Sequence, residues 1–165
     1  MPMMTRIFCV TCFALFLACI NTGATPKTSG LNTLAIGNSY GGGTIVHLLK
    51  PGDRGYDPEK PHGIISDTED IPGLFDWPDA LAACERLKKN GYGDWYLPDS
   101  NDLEKLYVNR FSAGGFARSG KQERFYWSSS EKDADYSRGR SFKTGKELVV
   151  DKMSKTGHAR AVRTF

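Results

Sequence analysis

"GYGDWYLPDSNDLEKLY", residues 91–107, holds a glycine-flanked turn, a short aromatic strand and the start of a helix. Pro98 disfavours helical geometry at Leu97 and so ends the "DWYLP" strand. Asp99 or Ser100 then caps a helix whose core face is Leu103, Leu106 and Tyr107. Asp102 and Glu104 in its first turn suit the positive end of the helix dipole. Each of these residues has a structural task, so the stretch reads as scaffold and not as an active-site loop. Just upstream, "DWPDALAACERLKKNGYG" (76–93) predicts another helix. Asp76 caps it, Pro78 sits in its first turn, Ala80, Ala83, Cys84 and Leu87 share one face, and Gly91 ends it.

Working outward from these helices, six segments read as strands: "TIVHLL" (44–49), "HGIIS" (62–66), "FYWSSS" (125–130), "GRSFK" (139–143), "ELVVDK" (147–152) and "ARAVRTF" (159–165). They are rich in β-branched and aromatic residues and bounded by turn formers. Residues 50–61 and 67–76 read as loops, with hairpin turns at 143–145 and 154–158. In the last segment Ala159 and Ala161 alternate with Arg160 and Val162, and the pattern leaves open which face is buried. Strands, then helices, then a meander give an α+β class, with two helices packed on a small antiparallel sheet and many loops.

The first 24 residues follow another logic. Arg6, an apolar run from Ile7 to Ile20 and a small-residue stretch have the layout of a secretory signal peptide, with cleavage expected after Ala24. The run is too short for a membrane span. An alternative is lipidation at Cys19, the one route by which this chain would reach a membrane. Residues 25–34 read as a flexible lead-in and 35–165 as one domain, at a length of 165 residues and 39% apolar content. Cys9, Cys12 and Cys19 fall in the leader, which leaves Cys84 without a partner, so the domain folds without disulfides. Cys84 shares the apolar face of its helix and reads as a core residue.

The formal charge of +3 is too small to imply nucleic-acid binding. It is unevenly spread, however: residues 25–104 carry a net −6 and residues 105–165 a net +8. This asymmetry suits either mutual compensation of the two halves or a basic face for an anionic partner. No catalytic constellation is visible. The "GGG" at 41–43 lacks the Gly-Lys-Ser/Thr of a phosphate loop, and no nucleophile elbow surrounds Ser128–Ser130. His47, His62 and His158 lack metal-ligand spacing. The serines are expected to satisfy backbone groups beside a packed Trp127. No enzyme activity and no cofactor is expected.

"IGNSYGGGTIV", "HGIIS", "GYGDWYLPDSNDLEKLY", "YWSSSE" and "ARAVRTF" occur here in an order that resembles the family of the C-terminal domain of the Legionella collagen-like adhesin, an exported bacterial domain. The resemblance covers about residues 35–165. It implies a variant of the C-type lectin-like fold, also similar in its "WYLP" segment to the formylglycine-generating domains. The late cysteines those enzymes need are missing here. The paired carboxylate–amide motifs of calcium-dependent lectins are missing too, although Asp99, Asn101 and Asp102 remain weak calcium candidates. In the adhesin the resemblance implies trimers and recognition of sulfated polysaccharide. This chain lacks that protein's collagen-like repeat.

Two functions of different class follow. One is an adhesin-like envelope or secreted module that binds anionic polysaccharide, with Arg118, Lys121, Arg124, Arg138, Arg140, Lys143 and Lys146 as candidate cations. Phe116, Tyr126 and Tyr136 would be its sugar platforms. The other is an assembly module that pairs with itself as a homo-oligomer or with another envelope protein.

Overall fold

The computed structural model describes residues 34–53, 55–117 and 125–165. The leader, Cys19 and nearly all of the lead-in therefore lie outside the described residues. Helix α1 (Trp77–Glu85) starts as its sequence dictates: the Asp76 carboxylate accepts from the Asp79 N–H at 3.0 Å, and Ala80 and Cys84 are buried. It stops at Arg86, short of the expected Gly91. Asn90 (φ 54°) and Gly91 (φ 83°) instead form the two left-handed positions of a tight turn, closed by Lys89 and Tyr92 exchanging backbone hydrogen bonds at 3.0 Å. Two adjacent positive φ angles make a hairpin turn and end a helix well before it. In α2 (Ser100–Val108) Asp99, not Ser100, is the cap, accepting from the Asp102 N–H at 2.7 Å. The short α3 (Arg110–Ala113) follows directly.

Among the described residues nine strands form two sheets. The first has the order β1 (Ser39–Tyr40), β2 (Gly43–Leu48), β3 (Gly63–Ser66), β9 (Val162–Thr164). The second runs β4 (Ile71–Phe75), β8 (Gly157–Ala159), β5 (Phe125–Glu131), β6 (Tyr136–Ser141), β7 (Glu147–Asp151). The α+β class holds, but the single antiparallel sheet does not: there are two sheets, and β5 pairs with β8 in parallel. Two further corrections follow. The span read as a loop, 67–76, contains β4, whose Pro72 and Gly73 are tolerated because it is an edge strand. The final strand is two strands, and the break at Arg160–Ala161 carries the chain from one sheet to the other.

The core divides between the two faces of the second sheet. Phe125 and Trp127 pack with Ala80, Cys84, Trp95, Leu97, Ala159 and Ala161. Tyr126, between them in sequence, packs with Phe142, Leu103, Leu106 and Val162. Successive strand residues point to opposite faces, so β5 feeds both cores. The opening "WYLP", expected as a short strand, is an extended segment with an isolated bridge at Tyr96, and it ties the sheets together. Trp95, Leu97 and Pro98 are buried, Tyr96 exchanges backbone hydrogen bonds with Val162 at 2.8 and 2.9 Å, and Pro98 accepts from the Ser129 N–H. It is scaffold. Ser128 and Ser130 take the backbone-satisfying roles expected of them, Ser128 donating to the Arg138 carbonyl and Ser130 accepting from the Ser100 N–H. No helix among the described residues is long and apolar enough to cross a membrane.

Candidate functional site

Arg160, at the break between β8 and β9, has a fully buried side chain. Its Nε donates to Asp70 Oδ1 at 2.8 Å, and Nη2 lies 2.7 Å from the same oxygen without the alignment of a hydrogen bond. Nη1 donates to the carbonyls of Asp67 (2.8 Å) and Gly114 (3.2 Å). The other Asp70 oxygen accepts from the Tyr126 hydroxyl at 2.6 Å and the Ala117 N–H at 3.0 Å. Burial, then the Asp70 carboxylate, pushes the Tyr126 hydroxyl far above its usual range. The Arg160 guanidinium also lies 3.9 Å from the Phe116 ring centroid. One buried ion pair thus holds the 114–117 segment at three points: a carbonyl, an N–H and a ring. Gly115 (φ 67°) completes the fit, since a Cβ there would stand 1.9 Å from the Thr68 carbonyl oxygen.

That segment is one wall of a cavity of about 220 Å³. Arg110 and Phe111 of α3 form the second wall, and Phe142 and Lys143, at the start of the β6–β7 hairpin, the third. The Arg110 guanidinium is held between two rings, 4.1 Å from the Tyr107 centroid and 4.4 Å from that of Phe111, and donates to the Tyr107 carbonyl at 2.7 Å. Phe116 packs against Phe142 with centroids 4.9 Å apart. Neither Arg110 nor Lys143 has a carboxylate partner among the described residues. Two cations beside phenyl rings give this cavity the chemistry that suits an anion with an apolar body.

The candidate cations have different fates. Arg118, Lys121 and Arg124 lie outside the described residues. Tyr136, Arg138 and Arg140 line up on one face of β6 by strand alternation. Arg138 is paired with Glu147. Arg140 has only 12% of its side chain exposed; it donates to the Gly145 carbonyl at 2.6 Å and stands 3.6 Å from Glu104, so it pins the hairpin. Lys143 lines the cavity, Lys146 is exposed, and Tyr136 is exposed with Lys132 over its ring. Tyr126 is a correction: it is wholly buried, with its hydroxyl bonded to Asp70, and offers no ring to a sugar.

Among the described residues no cluster of His, Cys, Asp or Glu has metal-binding geometry. Of the calcium candidates, Asp99 is used as a helix cap, Asp102 faces Lys105 and Tyr96, and Asn101 is exposed. The histidines have separate surroundings. His62 Nδ1 bonds the Phe165 carbonyl, His47 stands 3.4 Å from Asp53, and His158 lies against Tyr126. Burial pushes the Cys84 thiol up to about 12, as befits a core residue.

Sequence reasoning singled out Phe116 and Lys143 but missed Arg110, Phe111 and the Asp70–Arg160 pair. Phe111 stands four residues after Tyr107 and would extend the core face of α2 if that helix continued. The break at Asn109 turns Phe111 outward, to 86% exposure.

The chain belongs to the Lcl C-terminal domain family, whose sequence model matches residues 59–163. This is the adhesin-related family that the ordered motifs resemble. The matched span includes Asp70, Arg160 and every residue that lines the cavity. No curated protein matches the chain.

Proposed function

We propose that this Lcl C-terminal domain is a non-catalytic, exported binding module with a variant C-type lectin-like fold, and that it recognises anionic polysaccharide through the cavity between α3 and the β6–β7 hairpin. The observation that carries the reading is the pair of cations Arg110 and Lys143, without a carboxylate partner among the described residues and set among Phe111, Phe116 and Phe142. Arginine offers a planar fork to carboxylate or sulfate, lysine adds point charge, and the rings offer an apolar surface to sugar C–H groups. A non-catalytic role accords with the settings of the usual nucleophiles: the Cys84 thiol is buried and Ser128 is tied to backbone.

A glycan array probed at low and physiological salt tests the proposal. Selective binding to sulfated or uronic-acid chains is expected, weakening as salt screens the contacts. The double variant Arg110→Glu/Lys143→Glu should abolish it. Binding unchanged in that variant would remove the cavity from the mechanism. A blank array would favour the assembly reading, for which exposed Val108 and Phe111 offer an apolar surface, and salt-indifferent self-association would then be the property to measure.

A further inference from the structure

We infer that the groove between α2 and the paired ends of β3 and β9 is a second ligand site, one that takes an uncharged, hydroxyl-rich ring such as a neutral sugar unit. It shares no lining residue with the cavity at Arg110 and Lys143, so it goes beyond the anion-binding reading and stands apart from it. Its volume of about 590 Å³ falls within the roughly 300–1,000 Å³ of small-molecule sites.

The polar lining comes from two sides. On α2, Asp102 and Lys105 stand one turn apart and both line the groove. The Asp102 side chain is only 16% exposed, yet its two oxygens are poorly served: Lys105 Nζ donates to one at 3.3 Å and the Tyr96 hydroxyl to the other at 3.4 Å. Good bonds to a carboxylate measure about 2.5–2.9 Å. Burial, then Asp99, pushes the Asp102 carboxyl above the usual carboxylate range, so donors to its ionised form would be welcome. On the sheet side, His62 bonds the Phe165 carbonyl through Nδ1 at 2.8 Å. A carbonyl only accepts, so Nδ1 carries the proton and Nε2 of the neutral ring is left as an acceptor. Thr164 adds an exposed hydroxyl.

The ligand class follows from the charges. An anion would meet Asp102 and a cation would meet Lys105, each with like charge at close range. A zwitterion would have to part these two side chains from each other. Hydroxyl groups meet no such conflict: they donate to Asp102 and to Nε2 and accept from Lys105. The rest of the lining suits the C–H face of a ring. Leu49, Ile64 and Phe165 are its apolar members. Gly63 lets the Phe165 ring close on β3, since a Cβ there would stand 2.8 Å from that ring, and Tyr40 packs against it with centroids 4.9 Å apart. A phenyl ring fixed in this way is a platform for sugar C–H groups.

The test is a residue-resolved NMR titration of the chain with methyl glucoside, methyl galactoside and methyl N-acetylglucosaminide, with inorganic sulfate and L-leucine as charged controls. At least one glycoside is expected to give saturable, salt-insensitive shifts at His62, Ile64, Asp102, Lys105 and Thr164. Asp102→Ala should weaken that binding about tenfold or more, through loss of a charge-assisted acceptor. His62→Asn, whose amide N–H can still serve the Phe165 carbonyl, should weaken it about threefold to tenfold. Three results would overturn the inference: no saturable shift at these residues with any glycoside, tighter binding of sulfate or leucine there, or affinity unchanged in both variants. Anionic-glycan binding that is lost in Arg110→Glu/Lys143→Glu, without these shifts, would remove this site alone. These shifts without anionic-glycan binding would remove the anion reading alone.

Discussion

Arg160→Met tests the central physical claim, that a buried ion pair holds the 114–117 wall. The guanidinium is 0% and the Asp70 carboxylate 14% exposed. Removing one partner of a buried pair costs about 3–5 kcal/mol, because the other charge is left desolvated. Asp70 keeps the Tyr126 hydroxyl and the Ala117 N–H, which pulls the cost toward the lower end. Against this, the carbonyls of Asp67 and Gly114 lose their donor, at about 1 kcal/mol each or more where they stay buried. A net loss of about 4 kcal/mol follows, a large share of the roughly 5–15 kcal/mol typical of a domain. For a domain of this size that lowers Tm by about 10–20 °C. Urea unfolding followed by tryptophan fluorescence measures it, with an unchanged slope against denaturant as the check that only stability moved. Asp70→Asn/Arg160→Met should lose far less than the sum of its single variants, since no uncompensated charge remains. A loss below about 1 kcal/mol for Arg160→Met, or strict additivity in the double variant, would refute the reasoning.

Gly115→Ala should cost about 2 kcal/mol or more in urea unfolding, from a left-handed backbone and a Cβ driven into the Thr68 carbonyl. Asp99→Ala should cost about 1 kcal/mol in urea unfolding through loss of the α2 cap, with Asp99→Ser recovering most of it. The Cys84 thiol, pushed up to about 12 by burial, should resist a thiol-specific dye in the folded protein and react fully once the chain is unfolded. His47 and His158 have pKa values lowered by burial, with Lys105 adding to the effect at His47 while Asp53 opposes it there and Asp70 opposes it at His158. Their neutral forms favour the fold, so their contribution is full above the unfolded value of about 6.5 and is lost as pH falls below it. Urea midpoints at about pH 7.5 and about pH 5.5 should therefore differ less in His47→Gln/His158→Gln than in the parent.

The sequence alone determined the features that local physics controls. Asp76 and Asp99 cap helices because a short acceptor just before a helical run meets the first free N–H groups. Lys143–Gly145 turns a hairpin, and Cys84 belongs to the core because its neighbours one turn away are apolar. The ordered motifs were enough to point to the family. Tertiary structure decided what depends on partners far along the chain. Arg160 looked like one residue of an alternating strand, and only the pairing of β4 with β8 brings Asp70, 90 positions earlier, to its guanidinium. Tyr126 looked like a surface ring until the second sheet was covered on both faces. Phe111, four residues past Tyr107, escaped sequence reasoning because only the break at Asn109 turns it toward solvent. Capping, turn and periodicity rules act over about four residues, whereas the charge and exposure of a side chain are set by whatever the sheet topology brings against it.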